Sequence, residues 1–418
     1  MSISYLLPLL VISAGAYFLL KLRFYFIRHP VSVLKRIIKN SRDEGSRRAL
    51  MLALAGTLGV GNIVGVAYGI KVGGAGVVFW IFASALFSSP LKYAESYLTA
   101  LYGDSLGIVY SIRESLSRFV GRSYAILCLL LSLFLGGGLQ SKSVISAASI
   151  AGFNSCAVSV IFALLVLFAI IGGAGKIEGL NARVIPIATV FYIGITLSVI
   201  IVNIASLPKA LFEILRGALD FRAVTGGVLS FLGLKAMREG FARGLLSNEA
   251  GAGSSALAEG RSKLSPSEVG LFGVCEVVFD TVILSTLTGL AIVASGGSLD
   301  GDGIEIVTRA VASAFGAASP TVMFSLIAVF SYSAVICRYY YGEECFNYLF
   351  KNLREERKKR VLIPLYISFV LLSGFLSERL LVFVSDILLF LMTVITAAAL
   401  IKNSERIKAP SENVIKEV

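Results

Sequence analysis

Histidine is almost absent from this chain of 418 residues, since the single one is His29, in a basic segment. Histidine-based catalysis and histidine metal cages are therefore nearly excluded. The sequence also lacks a GxxxxGK[ST] motif, so it offers no phosphate-binding loop for ATP hydrolysis. Charged residues are scarce as well, at 15% of the chain. The protein must therefore work with few charges and without its own nucleotide-driven step.

Cysteine is also sparse, with five residues in the chain, and no two of them form a CxxC pair. Neither a zinc site nor a disulfide framework is indicated. Most of the cysteines lie within apolar segments, where a thiol behaves as a small buried hydrophobic group. They stand at positions 128, 156, 275, 337 and 345.

Apolar residues, in contrast, make up 56% of the chain, and the mean hydropathy is +0.83. A soluble domain cannot bury that much apolar surface, so the sequence predicts an all-α protein that crosses a membrane many times. About eleven apolar segments are candidate transmembrane helices. They fall near residues 3–27, 48–71, 76–101, 123–151, 155–173, 183–205, 223–260, 268–297, 304–346, 361–377 and 381–402. The ninth is too long for one simple span, so we expect it to be bent or to extend into the cytoplasm.

The net charge of +12 arises from basic residues in the loops between these segments. Such residues set membrane topology, and we do not expect nucleic-acid binding. Basic loops alternate with neutral, acidic or mixed ones, which places the N-terminus outside and the C-terminus in the cytoplasm. The first segment lacks a positive leader and a cleavage site, so we expect a retained helix. Two amphipathic segments, 31–40 and 208–221, are predicted to lie on the inner and outer surfaces respectively.

Two of the apolar segments are interrupted by glycine and polar residues near their middle. The second contains GTLGVGN (56–62), and the seventh contains SNEAGAG (247–253). Counting from the flanking charges at about 1.5 Å per residue puts both near the bilayer midplane. Freed backbone is tolerated at that depth only where it lines a cavity or is buried in protein. Close helix packing through small residues is the alternative, but it does not explain Asn62, Asn248 and Glu249.

The two interrupted segments occupy matching places in the chain. Each opens a set of five segments, and an odd number gives the two sets opposite topology. Broken helices at matching positions of two halves indicate a transporter whose substrate binds at the breaks. We therefore divide the chain into an N-terminal helix with a basic interfacial segment (1–47), a first repeat (48–205), an outer amphipathic segment with a second repeat (206–402), and a cytoplasmic tail (403–418).

Four stretches form a longer pattern around and after the breaks. They read GTLGVGNIVGVAYGIKVGGAGVVFW (56–80), FARGLLSNEAGAGSSALAEG (241–260), EVVFDTVILSTLTGLAIVASG (276–296) and YYGEECFNYLF (340–350). These stretches resemble the alanine or glycine:cation symporter family, and the resemblance covers about residues 48–400.

The resemblance implies a fold and a function. The fold is a LeuT-type inverted repeat of five and five helices with one extra N-terminal helix. The function is sodium-coupled uptake of a small neutral amino acid by alternating access, without a cofactor beyond the transported sodium. The expected place is the cytoplasmic membrane of a bacterium or archaeon, where a monomer in lipid is a plausible form.

The same resemblance implies a substrate site built from both breaks. It assigns Gly59, Gly61 and Asn62 in the first break to the substrate carboxylate and a cation. A substrate-contacting glutamine of the family falls on Gln140, and an asparagine of the second break falls on Asn248. The candidate oxygen ligands for sodium are Thr57, Glu249, Thr281 and Ser333. Structural hydrogen bonding to helix carbonyls is the alternative role of the hydroxyl groups.

The sequence departs from the family near the ninth segment, which reads SAVICR (333–338). The family has a Ser-Thr pair followed by Gly-Trp, so Ala334 replaces the threonine and Arg338 the tryptophan. Both are pocket positions in the family, and we expect a substrate that is broader than, or different from, alanine and glycine.

Three arrangements are open for the Arg338 side chain. It pairs with an internal acid such as Glu343, Asp280 or Glu249, it snorkels toward cytoplasmic water, or it faces the substrate and favours a polar or acidic side chain. Glu249 braces the second broken helix or the cation site in one interpretation.

The alternative for Glu249 is a structural ion pair with Arg243 or Lys142. It could also carry a proton, so a proton-coupled transporter is the main alternative function. A channel is disfavoured because no repeated filter or ring of like charges is present. An intramembrane enzyme would need a nucleophile with a base, or a metal, at membrane depth. Only Lys142 and the acids Glu276 and Asp280 offer such material.

Overall fold

The structure, a computed structural model, describes residues 3–219 and 235–410. All regular secondary structure within these ranges is helical, and they contain no β-strand. Six helices of the described chain are long and apolar enough to cross a membrane, and one strongly bent helix pair makes a seventh candidate. The predicted all-helical membrane fold is therefore confirmed, and the helices are compatible with the predicted eleven spans.

The part of the chain up to residue 219 contains the first broken helix. Its helices are α1 Ile3–Lys21, α2 Tyr25–Arg28, α3 Pro30–Asn40, α4 Glu44–Thr57, α5 Val64–Gly73, α6 Val77–Ala100, α7 Gly107–Ser115, α8 Arg118–Leu131, α9 Ser141–Ile150, α10 Ser155–Ile171, α11 Gly173–Val202 and α12 Leu207–Ala218. A π-helical segment, Ser132–Gln140, joins α8 to α9 in one continuous helix.

The part from residue 235 onward contains the second broken helix. Its helices are α13 Lys235–Asn248, α14 Ala256–Glu259, α15 Pro266–Val277, α16 Thr286–Ser295, α17 Gly303–Phe315, α18 Ser319–Leu349, α19 Glu355–Leu372 and α20 Glu378–Lys402. A second π-helical segment, Val278–Ser285, joins α15 to α16. π-Helical segments are rare in proteins, and those that occur often lie at functional sites.

Several helices begin at side chains that satisfy free backbone N–H groups. Asp43 accepts a hydrogen bond of 2.8 Å from the N–H of Ser46 at the start of α4. The same hydrogen bond lowers the pKa of the Asp43 carboxyl. Asp302 accepts from the N–H of Glu305 at 2.9 Å and begins α17 in the same way. These caps fix where the chain turns at the membrane surface.

One predicted boundary is wrong and one predicted bend is confirmed, and a glycine with positive φ lies at each place. The sixth predicted span begins at Gly173, ten residues early, so the predicted loop 174–183 is helical. The turn before it lies at Gly173, whose φ of 72° is in the left-handed region that glycine favours. The ninth predicted segment is two helices, α17 and α18, and Gly316 between them has a φ of 53°. The sequence had predicted a bend there without placing it.

Both amphipathic segments form helices, α3 and α12. The last two residues of the predicted segment 208–221 lie outside the described residues. The same is true of residues 223–234, at the start of the seventh predicted span, and of residues 411–418 in the tail.

The first predicted break is a strong bend in the structure. Helices α4 and α5 are separated by a short 3-10 turn, Val60–Asn62, and are bent by 54°. The second break runs from the end of α13 to the start of α14. Within it Glu249, Gly251 and Gly253 have φ values of 52°, 96° and 71°, so the backbone turns repeatedly through the left-handed region.

Two contacts join segments that the charge pattern assigns to the same side of the membrane. Lys71, near the end of α5, donates to the carbonyl of Gly301 at 2.5 Å, and Gly301 lies in an acidic loop. Arg261 forms an ion pair with Glu178 of α11, which lies between Lys176 and Arg183 in the sequence. Each contact therefore joins two segments that the charge pattern groups together.

Candidate functional site

The first break faces Gln140, which lies at the end of the first π-helical segment. The Gln140 Oε1 atom accepts a hydrogen bond from the N–H of Val60 at 3.3 Å, and another from the Ser331 hydroxyl at 3.4 Å. A Cβ atom on Gly59 would lie 2.6 Å from the Gln140 Nε2 atom. The glycine at this position therefore lets the side-chain amide lie against the unwound backbone.

The two breaks meet at Asn62, Ser247 and Asp280, whose side chains are all buried. The Ser247 hydroxyl contacts Asn62 Oδ1 on one side and lies 3.0 Å from Asp280 Oδ1 on the other. A hydroxyl has one proton, so it can donate to only one of these two oxygens at a time. Three oxygens thus converge with one proton among them, which is an arrangement suited to a cation such as sodium.

Asn248 and Thr281 extend this cluster. The Asn248 Nδ2 atom donates to the Thr281 hydroxyl at 2.9 Å, and that hydroxyl donates to Asp280 Oδ2 at 2.9 Å. The Asn248 Oδ1 atom accepts from the N–H of Ala250 at 3.0 Å. Asp280 is therefore held from both sides, because its second oxygen is bonded to Thr281 while its first faces Ser247.

Arg338 forms an ion pair with Glu249, which is one of the three arrangements open from the sequence. Its Nη1 atom donates to Glu249 Oε2 at 2.8 Å, and its Nη2 atom donates to Glu249 Oε1. Nη2 also donates to the carbonyl oxygen of Gly56 at 2.7 Å. The side chain does not snorkel, since Arg338 is 2% exposed.

The alternative ion pair of Glu249 with Arg243 or Lys142 is wrong. Arg243 pairs with Glu239 at 3.4 Å, and Lys142 donates to the carbonyl of Gly374 at 2.8 Å. Both basic groups therefore have other partners, while Glu249 pairs with Arg338.

The remaining candidate residues are not hydrogen-bonded to the oxygen cluster within the described chain. The Thr57 hydroxyl donates to the carbonyls of its own helix, at 3.2 Å to Leu54 and 3.5 Å to Ala53. Ser333 and Ala334 are fully buried, and among the described residues the Ser333 hydroxyl has no hydrogen-bond partner. Gly61 lies against Ser247, whose Oγ would be 3.3 Å from a Cβ on this glycine.

A second buried polar group lies beside the second break, around Lys92 of α6. The Lys92 ammonium hydrogen-bonds the Ser255 hydroxyl and lies 3.3 Å from Glu276 and 4.0 Å from Glu95. The carboxyl group of Glu259 lies next to that of Glu276. This cluster ties α6 to α14 and α15.

The two acids considered as enzyme material therefore face different groups, because Glu276 pairs with Lys92 whereas Asp280 faces Ser247. No group of three or more histidine, cysteine, aspartate or glutamate side chains in the described chain could hold a metal ion. The geometry gives no support to the diacid scheme.

The sequence interpretation left Ser247 and Asp280 out of the candidate site. An acid within an apolar span is by default a functional candidate, so Asp280 carried a usable signal. Ser247 directly precedes Asn248 in the second break. Its hydroxyl oxygen was therefore a possible ligand facing the first break. No sequence signal identified the π-helical segments that carry Gln140 and Asp280.

Two broken helices that meet at buried polar side chains, within a bundle of apolar helices, define a secondary transporter. The model of the family described as "Sodium:alanine symporter family" matches residues 1–412 of this chain. The chain belongs to the sodium:alanine symporter family, so it is an integral membrane transporter and not an enzyme.

Relatives with named functions agree with this assignment. The sodium/alanine symporter AgcS of Methanococcus maripaludis is 30% identical over 384 residues, covering 85% of this chain and 84% of AgcS. The probable sodium/glutamine symporter GlnT of Bacillus subtilis is 31% identical over 369 residues, covering 84% of this chain and 76% of GlnT.

A solved structure shows the same fold. The crystal structure of MhsT in complex with L-phenylalanine matches with a TM-score of 0.59 at 14% identity, covering 87% of this chain and 92% of MhsT. At this identity the likeness concerns the fold alone. It confirms the LeuT-type fold that the sequence resemblance implied.

Proposed function

We propose that this protein is a symporter that couples inward sodium movement to the uptake of a small neutral amino acid. The observation that carries the proposal is the convergence of oxygens from Asn62, Ser247 and Asp280 where the two helix breaks meet. Sodium prefers oxygen ligands, and broken helices at midplane depth supply both side-chain and backbone oxygens. The family to which the chain belongs supports the same assignment.

The substrate's charged groups would bind at the first break. Backbone N–H groups near Gly59 and Gly61, together with the N-terminal end of α5, would attract the carboxylate. Gln140 lies against the same backbone and would contact the substrate through its amide. Asn248 would contact substrate from the second break.

Sodium would bind to Asn62, Ser247 and Asp280, with Thr281 orienting the carboxylate through its hydrogen bond. This assignment adds Ser247 and Asp280 to the set expected from the sequence. Thr57 and Ser333 are weaker candidates because neither is joined to the oxygen cluster by a hydrogen bond within the described chain.

The substrate class follows from the pocket charge and from the relatives. Glu249 neutralises Arg338, so this part of the pocket has no free cation for an acidic side chain. The named relatives are a sodium/alanine and a probable sodium/glutamine symporter. Small neutral amino acids, including polar ones, are therefore the proposed substrates, and Ala334 and Arg338 set the difference from alanine and glycine.

The membrane arrangement follows the charge pattern of the loops. We assign the N-terminus to the outside and the C-terminus to the cytoplasm of a bacterial or archaeal cell, with the protein in the cytoplasmic membrane. Residues 48–205 form the first inverted repeat, and residues 206–402 comprise the outer amphipathic segment and the second repeat, flanked by residues 1–47 and the tail 403–418. A monomer is the simplest functional unit.

Uptake into proteoliposomes tests the proposal. Purified protein is reconstituted, and a panel of labelled amino acids is offered with an inward sodium gradient, with choline in its place, or with a pH gradient alone. We expect concentrative uptake of one or a few small neutral amino acids that requires sodium. Full accumulation driven by the pH gradient without sodium would instead support the proton-coupled alternative, and saturable uptake without accumulation would contradict symport.

A further inference from the structure

Arg338 contacts both helix breaks at once. Through Nη2 it bonds the carbonyl of Gly56, one residue before α4 ends, and through both Nη atoms it bonds Glu249, one residue after α13 ends. It comes from a third element, α18, and the ring of Tyr341 on the same helix lies 5.7 Å from its guanidinium carbon. One side chain therefore links three elements in the centre of the protein.

Each contact is one that a bound cation would make. The last carbonyls of an α-helix have no partners within the helix, and they carry its partial negative charge. Gly56 supplies such a carbonyl at the first break. Glu249 supplies a full negative charge at the second, and its Oε2 atom also accepts from the Ser254 hydroxyl at 2.5 Å, across the same break.

The contact with Arg338 stabilises both the backbone conformation and the burial of Glu249. Its φ of 52° lies in the left-handed region, which is unfavourable for a residue with a Cβ. The residue is 2% exposed, so an unpaired carboxylate here would be costly. The guanidinium of Arg338 is the group that balances this charge.

We propose that Arg338 is a built-in cation that holds the two helix breaks together, in a place where a coupling ion would otherwise bind, so that sodium binds at one site only. That site is the cluster of Asn62, Ser247 and Asp280. The proposal rests on the sodium-coupled function proposed above. A second sodium ion beside Gly56 would be repelled by the guanidinium, and the carbonyl it needs is already bonded to Arg338.

The sequence context agrees with this assignment. Ala334 lies four residues before Arg338 and hence on the same face of α18. It has no oxygen in its side chain, so this face offers no hydroxyl ligand at that position. A charged side chain and a missing hydroxyl thus occur together, as expected where a tethered charge replaces a bound ion.

The first test is the coupling ratio of the wild-type protein. Parallel uptake of ²²Na and labelled L-alanine, or of the amino acid that the uptake panel identifies, gives the number of sodium ions moved per substrate. We expect one. A ratio of two would overturn this inference while leaving sodium symport intact, whereas substrate uptake with no sodium movement would overturn the proposed function itself.

The second test places a sodium site where the guanidinium was. Arg338→Gln leaves the carboxylate of Glu249 unpaired beside the Gly56 carbonyl, so sodium should bind there. The unfolding temperature of the purified variant is measured without amino acid, in NaCl and in choline chloride. Between about 1 and 100 mM NaCl it should rise by about 3 °C more than the unfolding temperature of wild type, relative to choline chloride. No added response to sodium would overturn the inference.

Two control variants separate charge from packing. Arg338→Lys keeps the cation, and the double variant Arg338→Gln with Glu249→Gln removes both charges. Neither should gain the additional stabilisation by sodium. An equal gain in the double variant would show that the response does not arise at this carboxylate and would overturn the inference. If Arg338→Gln does not fold in any salt, the wild-type coupling ratio decides.

Discussion

Alanine at position 59 should weaken substrate binding through a clash that can be located in the structure. Gly59 has φ −138° and ψ −156°, an extended conformation that alanine adopts without strain. The added methyl group, however, would lie 2.6 Å from Gln140 Nε2 and 3.0 Å from its Oε1. Favourable contact requires about 3.5 Å, so the amide must move away from the first break.

The size of the effect follows from the polar contact that the substrate loses. Because the Gln140 amide ends a flexible side chain, it can shift at small cost to the fold, but a lost hydrogen bond to substrate costs about 1–3 kcal/mol, which corresponds to a loss of affinity of about 5- to 150-fold. The loss should be larger in affinity than in stability, because Gln140 moves off the N–H of Val60 where the substrate is proposed to bind. Equilibrium binding of the labelled substrate to purified protein measures the affinity, and thermal unfolding measures the stability.

Two variants make this result specific. Gly194→Ala, on the exposed face of α11, adds a methyl group into open space, since nothing lies within 4 Å of its Cβ position, and should bind substrate like the wild type. The double variant Gly59→Ala with Gln140→Ala removes the clash, so it should unfold at the same temperature as Gln140→Ala alone, while its affinity should not recover. Wild-type affinity in Gly59→Ala, or recovered affinity in the double variant, would refute the reasoning.

Three further predictions test other parts of the structure. Asn248→Ala and Gln140→Ala should each reduce substrate affinity about ten- to a hundredfold without loss of membrane insertion, because each leaves buried polar groups unpaired, and unchanged binding constants would contradict this. Lys92→Met should destabilise the protein by about 3–5 kcal/mol in unfolding measurements, because it leaves buried carboxylates without their cation. The control Lys71→Met, at the surface, should change the free energy of unfolding by less than about 0.5 kcal/mol. Cys156 is the one exposed cysteine of the five. A membrane-impermeant maleimide should therefore label this protein in intact cells, and the label should be lost in Cys156→Ser. Labelling only after lysis would reverse the proposed orientation.

The sequence predicted the helix breaks because local composition causes them. Glycine together with polar side chains at midplane depth has few explanations, and both breaks lie where the pattern placed them, at Leu58–Asn62 and from Glu249 onward. The helix boundaries were less predictable. A hydropathy pattern cannot show that α11 extends ten residues beyond the apolar core, since only the position of the turn at Gly173 determines that.

Contacts between distant residues were the least predictable part of the site. The partner of Arg338 could be narrowed to three acids from charge alone, but the choice of Glu249, 89 residues away, depends on how α18 packs against the breaks. The same holds for Ser247 and Asp280, which meet only because the second π-helical segment turns the carboxylate toward α13. A local pattern identifies such residues as unusual, while the tertiary structure determines their partners.

The central claim is that the oxygens at the meeting of the two breaks bind the sodium that drives uptake. Because coupling between two ligands is reciprocal, sodium at this site must raise the affinity for substrate. The most direct measurement is equilibrium substrate binding as a function of sodium concentration in wild type, Asp280→Asn and Ser285→Ala. Among the described residues, the Ser285 hydroxyl donates only to the backbone carbonyl of Asp280 in its own π-helical segment, at 2.9 Å, and it serves as the matched control.

The account predicts that wild type and Ser285→Ala bind substrate more tightly as sodium rises. In Asp280→Asn the sodium concentration for half-maximal effect should increase about 10- to 100-fold, as expected for the loss of a charged ligand. Equal substrate affinity in sodium and in choline for the wild type, or an unchanged sodium dependence in Asp280→Asn, would contradict the assignment of this site.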